Sequence, residues 1–121
     1  RPQVLSSRFA ELGSELPPKA MAALVDMFFS DTSRTLADLG DALDTGDPQR
    51  IMQAAHKLKG SARMLGFWRI AAVTADIEAA EGAGMGTRTP QQARALLQAA
   101  VEETRAAVQA SPPYSKEEAT A

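Results

Sequence analysis

Along the chain, apolar residues return at steps of three and four, alanine and leucine are abundant and β-branched runs are missing. That pattern predicts helices rather than strands. Val4, Leu5, Phe9 and Leu12 predict a short opening helix over about Val4 to Leu12, with Gly13 as its stop. Pro17 and Pro18 suit the first turn of a second helix, whose stripe Met21, Leu24, Phe28, Leu36, Leu39 and Leu43 keeps one phase as far as Thr45-Gly46. The polar run Ser30-Asp31-Thr32-Ser33 is expected to kink or break it. Asp47 followed by Pro48 combines a side-chain cap with a proline at the first helical position, so a third helix should run from Pro48 to about Leu65. Gly66 allows a turn, and a fourth helix carries Phe67, Ile70, Val73 and Ile77 towards Gly82-Ala83-Gly84. After a loop over Gly82 to Thr89, Thr89-Pro90 opens a fifth helix, with Leu96, Leu97, Ala100, Val101 and Val108 as its apolar side. Ser111-Pro112-Pro113 ends it. The expected fold is all-α, an antiparallel four-helix bundle with a short additional N-terminal helix. Residues 1–110 should form one domain and 111–121 a polar, disordered tail.

The third helix separates two kinds of residue. Ile51, Ala55, Leu58, Ala62 and Leu65 fall on one side at 100° per residue, the side that must face the core. His56, Lys59, Gly60 and Arg63, spaced i, i+3, i+4 and i+7, form a patch about 140° away from it. An outward imidazole is poorly suited to core packing. Its neutral form is a nucleophile at neutral pH, since the reference pKa is near 6.5, so phosphorylation on nitrogen is chemically available. Lys59, one turn on, would set an ammonium beside a phosphoryl group there. Gly60 costs the helix about 1 kcal/mol relative to alanine, which suggests that a bare surface is needed for a partner to approach. Glu78 stands twelve residues after Gly66 and His56 ten before it. At about 1.5 Å per residue the two reach similar heights on adjacent helices. Glu78 would then accept a hydrogen bond from one imidazole nitrogen, fixing the tautomer; otherwise it is a solvated glutamate.

Composition removes several other chemistries. The 121 residues, 45% apolar, suffice for one core. A net charge of −2 gives no basic excess from which to argue nucleic-acid or anionic-membrane binding, and no apolar run approaches a membrane span. Without cysteine there is neither disulfide nor thiolate chemistry, and His56 is the single histidine, which leaves no metal-ligand spacing. No glycine-rich phosphate loop is present, so a kinase activity of its own is not expected. Lys57 reads as a solvated charge, Phe67 and Trp68 as packing residues, and the methionines as core filler or surface. The opening Arg1-Pro2-Gln3 resembles neither a signal peptide nor a natural start, as in a module cut from a larger protein. With no evident extra apolar stripe, a monomer is expected.

The run His56-Lys57-Leu58-Lys59-Gly60-Ser61-Ala62, followed by Leu65-Gly66, resembles the signature of histidine-containing phosphotransfer domains. The resemblance in helix order covers roughly Val4 to Val108. It implies a four-helix bundle in which His56 is the phosphoacceptor and Lys59 attends the phosphoryl group; beside them Gly60 is read as facing a docking partner, and Arg63 as either a partner contact or a solvated charge. It also implies response-regulator receiver domains as partners, with a hybrid histidine kinase as a further candidate, a cytoplasmic setting, and no cofactor in this chain, Mg2+ being held by the partner receiver. Gly66-Phe67 with Thr74 and Glu78 is similar as well to the phosphoacceptor domain of chemotaxis-type histidine kinases. A non-catalytic bundle that only docks receivers is the rival from another class.

Overall fold

A computed structural model describes residues 4–82 and 90–111, and side chains outside 80–90. Among the described residues there are five helices: α1 (Ser7–Glu15), α2 (Pro18–Thr45), α3 (Pro48–Leu65), α4 (Trp68–Gly82) and α5 (Pro90–Ala110). Helices α2 to α5 form the antiparallel bundle, with α3 packed most extensively on α4, flanked by α2, and α5 returning to both α4 and α2. Short α1 lies against α2 and α3. No helix among the described residues is long and apolar enough to cross a membrane.

Local signals set the ends of α3. The Asp47 carboxylate accepts from the backbone N–H groups of Gln49 and Arg50 at 3.1 and 3.4 Å, and Pro48 occupies the first turn. Gly66 ends the helix in the left-handed region at φ 79°, its N–H closing on the carbonyls of Ala62 and Arg63. Ile51, Ala55, Leu58, Ala62 and Leu65 are all buried, so this helix turns its predicted apolar side into the core.

The opening helix differs from expectation. It begins at Ser7, not Val4, because Val4 to Ser6 are not helical and are tied to the α3–α4 turn: the Ser6 N–H donates to the Gly66 carbonyl at 2.8 Å and the Arg69 N–H to that of Val4 at 3.2 Å. Ser6 then caps α1 through its hydroxyl. Gly13 does not stop the helix, which continues to Glu15 and closes with the Leu16 N–H on the Leu12 carbonyl. Helix α2 likewise runs through Ser30–Ser33 without a break. Thr32 is buried there, and the Ser33 hydroxyl donates to the Phe29 carbonyl at 3.2 Å, so the polar groups find partners or burial within the helix and do not end it.

Phe67, fully buried, anchors the turn end of the core. Its ring meets Phe28 edge-on at 4.8 Å between centroids and lies 5.6 and 5.7 Å from Phe9 and Phe29. The Arg105 guanidinium sits 4.5 Å over Phe29. At the other end Arg94 of α5 donates to the Gly40 carbonyl and the Asp44 carboxylate of α2, at 3.1 and 3.0 Å. Two residues expected in packing roles are exposed instead: Trp68, half in solvent at the start of α4, and Leu96 on α5. Each falls outside the buried arc of its helix, since neighbours Phe67 and Leu97 already fill the core positions. Of the expected loop over Gly82 to Thr89, Gly82 instead closes α4 and 83–89 lie outside the described residues, as does the expected tail beyond Ser111.

Candidate functional site

The long packing of α3 on α4 fixes the register that brings His56 and Glu78 to one height. His56 Nδ1 lies 2.7 Å from Glu78 Oε2. A carboxylate accepts only, so Nδ1 carries the proton and donates it, and the unprotonated lone pair is at Nε2. The imidazole side chain is 71% exposed, whereas that of Glu78 is 20% exposed. The bond therefore joins an accessible ring to a carboxylate that the α3–α4 interface holds in place.

Lys59 occupies the same interface. Its side chain, 16% exposed, reaches across to Glu78, where the ammonium donates to Oε1. Each oxygen of Glu78 thus has its own partner. The Lys59 hydrogen bond is the main reason that the Glu78 carboxyl is held below the ordinary value of 4.5; desolvation acts against it, and the His56 bond adds to the lowering. Glu78 is consequently an anion at neutral pH.

The remaining predicted site residues stand in the open. Gly60 is exposed with ordinary helical φ, and a Cβ built on it would meet nothing within 4 Å. Arg63 is exposed one turn further on. Among the described residues, no hydrogen bond joins Arg63 to the His56–Glu78–Lys59 cluster, so the predicted four-residue patch divides. His56, Gly60 and Arg63 remain on the surface, while Lys59 turns its head into the α3–α4 seam. The phase of Lys59 gives the direction of its Cα–Cβ bond but not the bend of a four-carbon stem towards a fixed anion.

A second feature adjoins the histidine on the other flank of α3. A groove of about 230 Å³ opens between α1, α2 and α3, and Leu12, Leu24, Phe28 and Leu58 line it together with Met27 and Met64. Arg8 and Lys57 stand in its wall. Nothing in the linear pattern marked it, because Met27 and Met64 lie off the apolar stripes of their own helices and meet only through the packing of α2 on α3.

A search of curated proteins finds none that matches this chain. The family model described as Hpt domain matches residues 23–107, which takes in α3, α4 and the His56–Glu78 pair. With most of its length covered by that match and its helices arranged as the family's bundle, the chain belongs to the Hpt domain family, the histidine phosphotransfer modules of phosphorelay signalling.

Proposed function

We propose that this chain takes a phosphoryl group from the aspartyl phosphate of one receiver domain onto His56 and passes it to the aspartate of another. The observation that supports this best is the pairing of an exposed imidazole with a partly buried anion at its Nδ1. In the accepting step the Nε2 lone pair attacks phosphorus, a P–N bond forms, the P–O bond to the aspartyl oxygen breaks, and the aspartate leaves as carboxylate. The ring keeps its Nδ1 proton and gains positive charge, which the Glu78 carboxylate faces from 2.7 Å. Donation is the reverse. Glu78 is thus a positioning group for the ring, and Lys59 a cation held within one turn of the phosphoryl site. Gly60 and Arg63 provide the surface over which a receiver settles. Mg2+ would belong to the receiver, and the exchange to the cytoplasm.

A related reading follows from Glu78 and Thr74: a phosphoacceptor domain of a chemotaxis-type kinase, loaded by an ATP-bound kinase domain in place of a receiver. One experiment separates these readings and tests the first. The chain is mixed with a panel of receiver domains carrying radioactive aspartyl phosphate, and in parallel with ATP and candidate kinase domains. Acid-labile, base-stable label should move to this chain from a receiver, and His56→Gln should abolish it while changing stability by less than about 0.5 kcal/mol. Label retained by His56→Gln would overturn the assignment. Label arriving only from a kinase domain would favour the second reading.

A further inference from the structure

His56 has two unlike flanks. Towards α4 it meets the Glu78–Lys59 pair; towards α2 lies the apolar groove. Of the methionines, Met21 is fully buried, whereas Met27 and Met64 are 60% and 70% exposed. These two project from different helices into the lining of one groove. Long, unbranched and polarizable, a thioether adapts to another protein's apolar surface, and an exposed one is open to oxidants.

The charges around the groove indicate what covers it. The exposed side chains of helix α3 include Arg50, Lys57 and Arg63 and no carboxylate, although the chain as a whole is negative. Arg8 and Lys57 flank the apolar lining, with Asp31 on the α2 side. That combination fits a partner that presents an acidic phosphoacceptor pocket next to an apolar flank: the receiver domain of the phosphotransfer reading, on which this inference rests.

We propose that Met27 and Met64 form an oxidisable part of the receiver-docking surface, so that the relay is sensitive to hydroperoxides at this chain. Each thioether sulfur takes one oxygen from the peroxide and is oxidised to the sulfoxide, and the peroxide is reduced to water or the corresponding alcohol. The sulfoxide is polar and no longer matches an apolar partner. Docking weakens, while His56, which peroxide leaves intact and which lies outside the groove lining, keeps its reactivity towards a small donor.

The test treats the full chain with hydrogen peroxide, locates the added oxygen by peptide mass, and titrates untreated and treated protein with the receiver of the panel that binds most tightly. Oxygen should appear on Met27 and Met64 well before Met21. Affinity should fall about fivefold or more, and methionine sulfoxide reductases for both epimers should restore it. Labelling by phosphoramidate, which needs no protein docking, should change less than about twofold in the same samples. For Met27→Leu/Met64→Leu, the ratio of treated to untreated affinity should stay near one, which separates these residues from the other methionines. Met27→Gln/Met64→Gln, polar without any oxidant, should show the loss directly. Unchanged affinity after oxidation of both residues, an equal loss in the leucine variant, or no binding by any receiver would each overturn the proposal. Failure of phosphoramidate to label untreated protein would strike instead at His56 as phosphoacceptor, and the affinity ratios would still decide the groove.

Discussion

Two glycines six residues apart, one within α3 and one at its end, answer to opposite demands. At Gly66 the backbone sits at φ 79°, and an added Cβ would come within 2.6 Å of the Phe9 nitrogen and 2.8 Å of the Ser6 hydroxyl. At Gly60 the backbone is ordinary helix and the same Cβ would touch nothing. The chain's own packing explains the first completely and gives no reason for the second, which weakens the helix by about 1 kcal/mol against alanine. Packing does not require a glycine at position 60, beside an outward histidine, and the proposed docking of a receiver would account for it. The turn end of α3 is built for the bundle; its middle, on the proposed function, is left bare for a partner.

Gly66→Ala tests the first half of that contrast and should have the largest effect. Left-handed backbone costs a non-glycine residue about 1–2 kcal/mol, and the contact with the Phe9 backbone adds to it, so urea unfolding should show a loss of at least about 2 kcal/mol. A loss under about 0.5 kcal/mol would mean that α1 simply lifts away and that its clamp contributes little.

Glu78→Gln acts on the seam between the two regions. It removes a charge-assisted hydrogen bond to His56, of which about 1.5 kcal/mol would be felt as the ring becomes positive, so phosphoramidate labelling should slow by about tenfold with the helices intact. The wild-type protein carries a matching pH signature. Because the folded Glu78 pKa lies below its ordinary value of 4.5, its stabilising contribution is fully present above that value and is lost as pH falls through the lowered one. Chemical unfolding across this acid range should show a stability difference between wild type and Glu78→Gln that shrinks as pH drops. A constant difference would place the loss in packing and not in charge.

Gly60 sharpens the second half and should move stability least. Gly60→Ala should stabilise the domain by up to about 1 kcal/mol, and Gly60→Leu should fold as well. Transfer from a receiver to Gly60→Leu should nevertheless be slower, with phosphoramidate labelling much less affected. Equal losses with both donors would show that the leucine disturbs His56 itself and not the approach of a partner.

How much of this the sequence disclosed depends on the range of the interactions involved. The bounds of α3 were legible because Asp47, Pro48 and Gly66 act on backbone groups within a few residues. So was the similar height of His56 and Glu78, since a tight turn and a fixed rise per residue determine heights on an antiparallel hairpin, whereas the choice between a bond and a solvated glutamate took the packed helices to decide. The start of α1 was not, because Val4 and Ser6 give up helical positions to bond with a turn some sixty residues away. Nor did the polar look of Ser30–Ser33 reveal that Thr32 faces the core. Lys59 was legible as a neighbour of His56 but not as a partner of Glu78, and the methionine groove exists only once α1, α2 and α3 have met.

The tie between Ser6 and Gly66 also bears on the order in which the molecule can assemble. His56 and Glu78 are joined across 22 residues, within a helical hairpin whose turn is closed by its own backbone. The link from Ser6 to Gly66 closes a loop nearly three times as long, and in chain entropy that is an added cost of about 1 kcal/mol. The hairpin carrying the histidine is therefore a short-range unit of low contact order, and α1 is a long-range latch that closes over a turn already formed. A site built this way takes its geometry from a local tertiary contact, and the amino-terminal latch secures that geometry without having to create it.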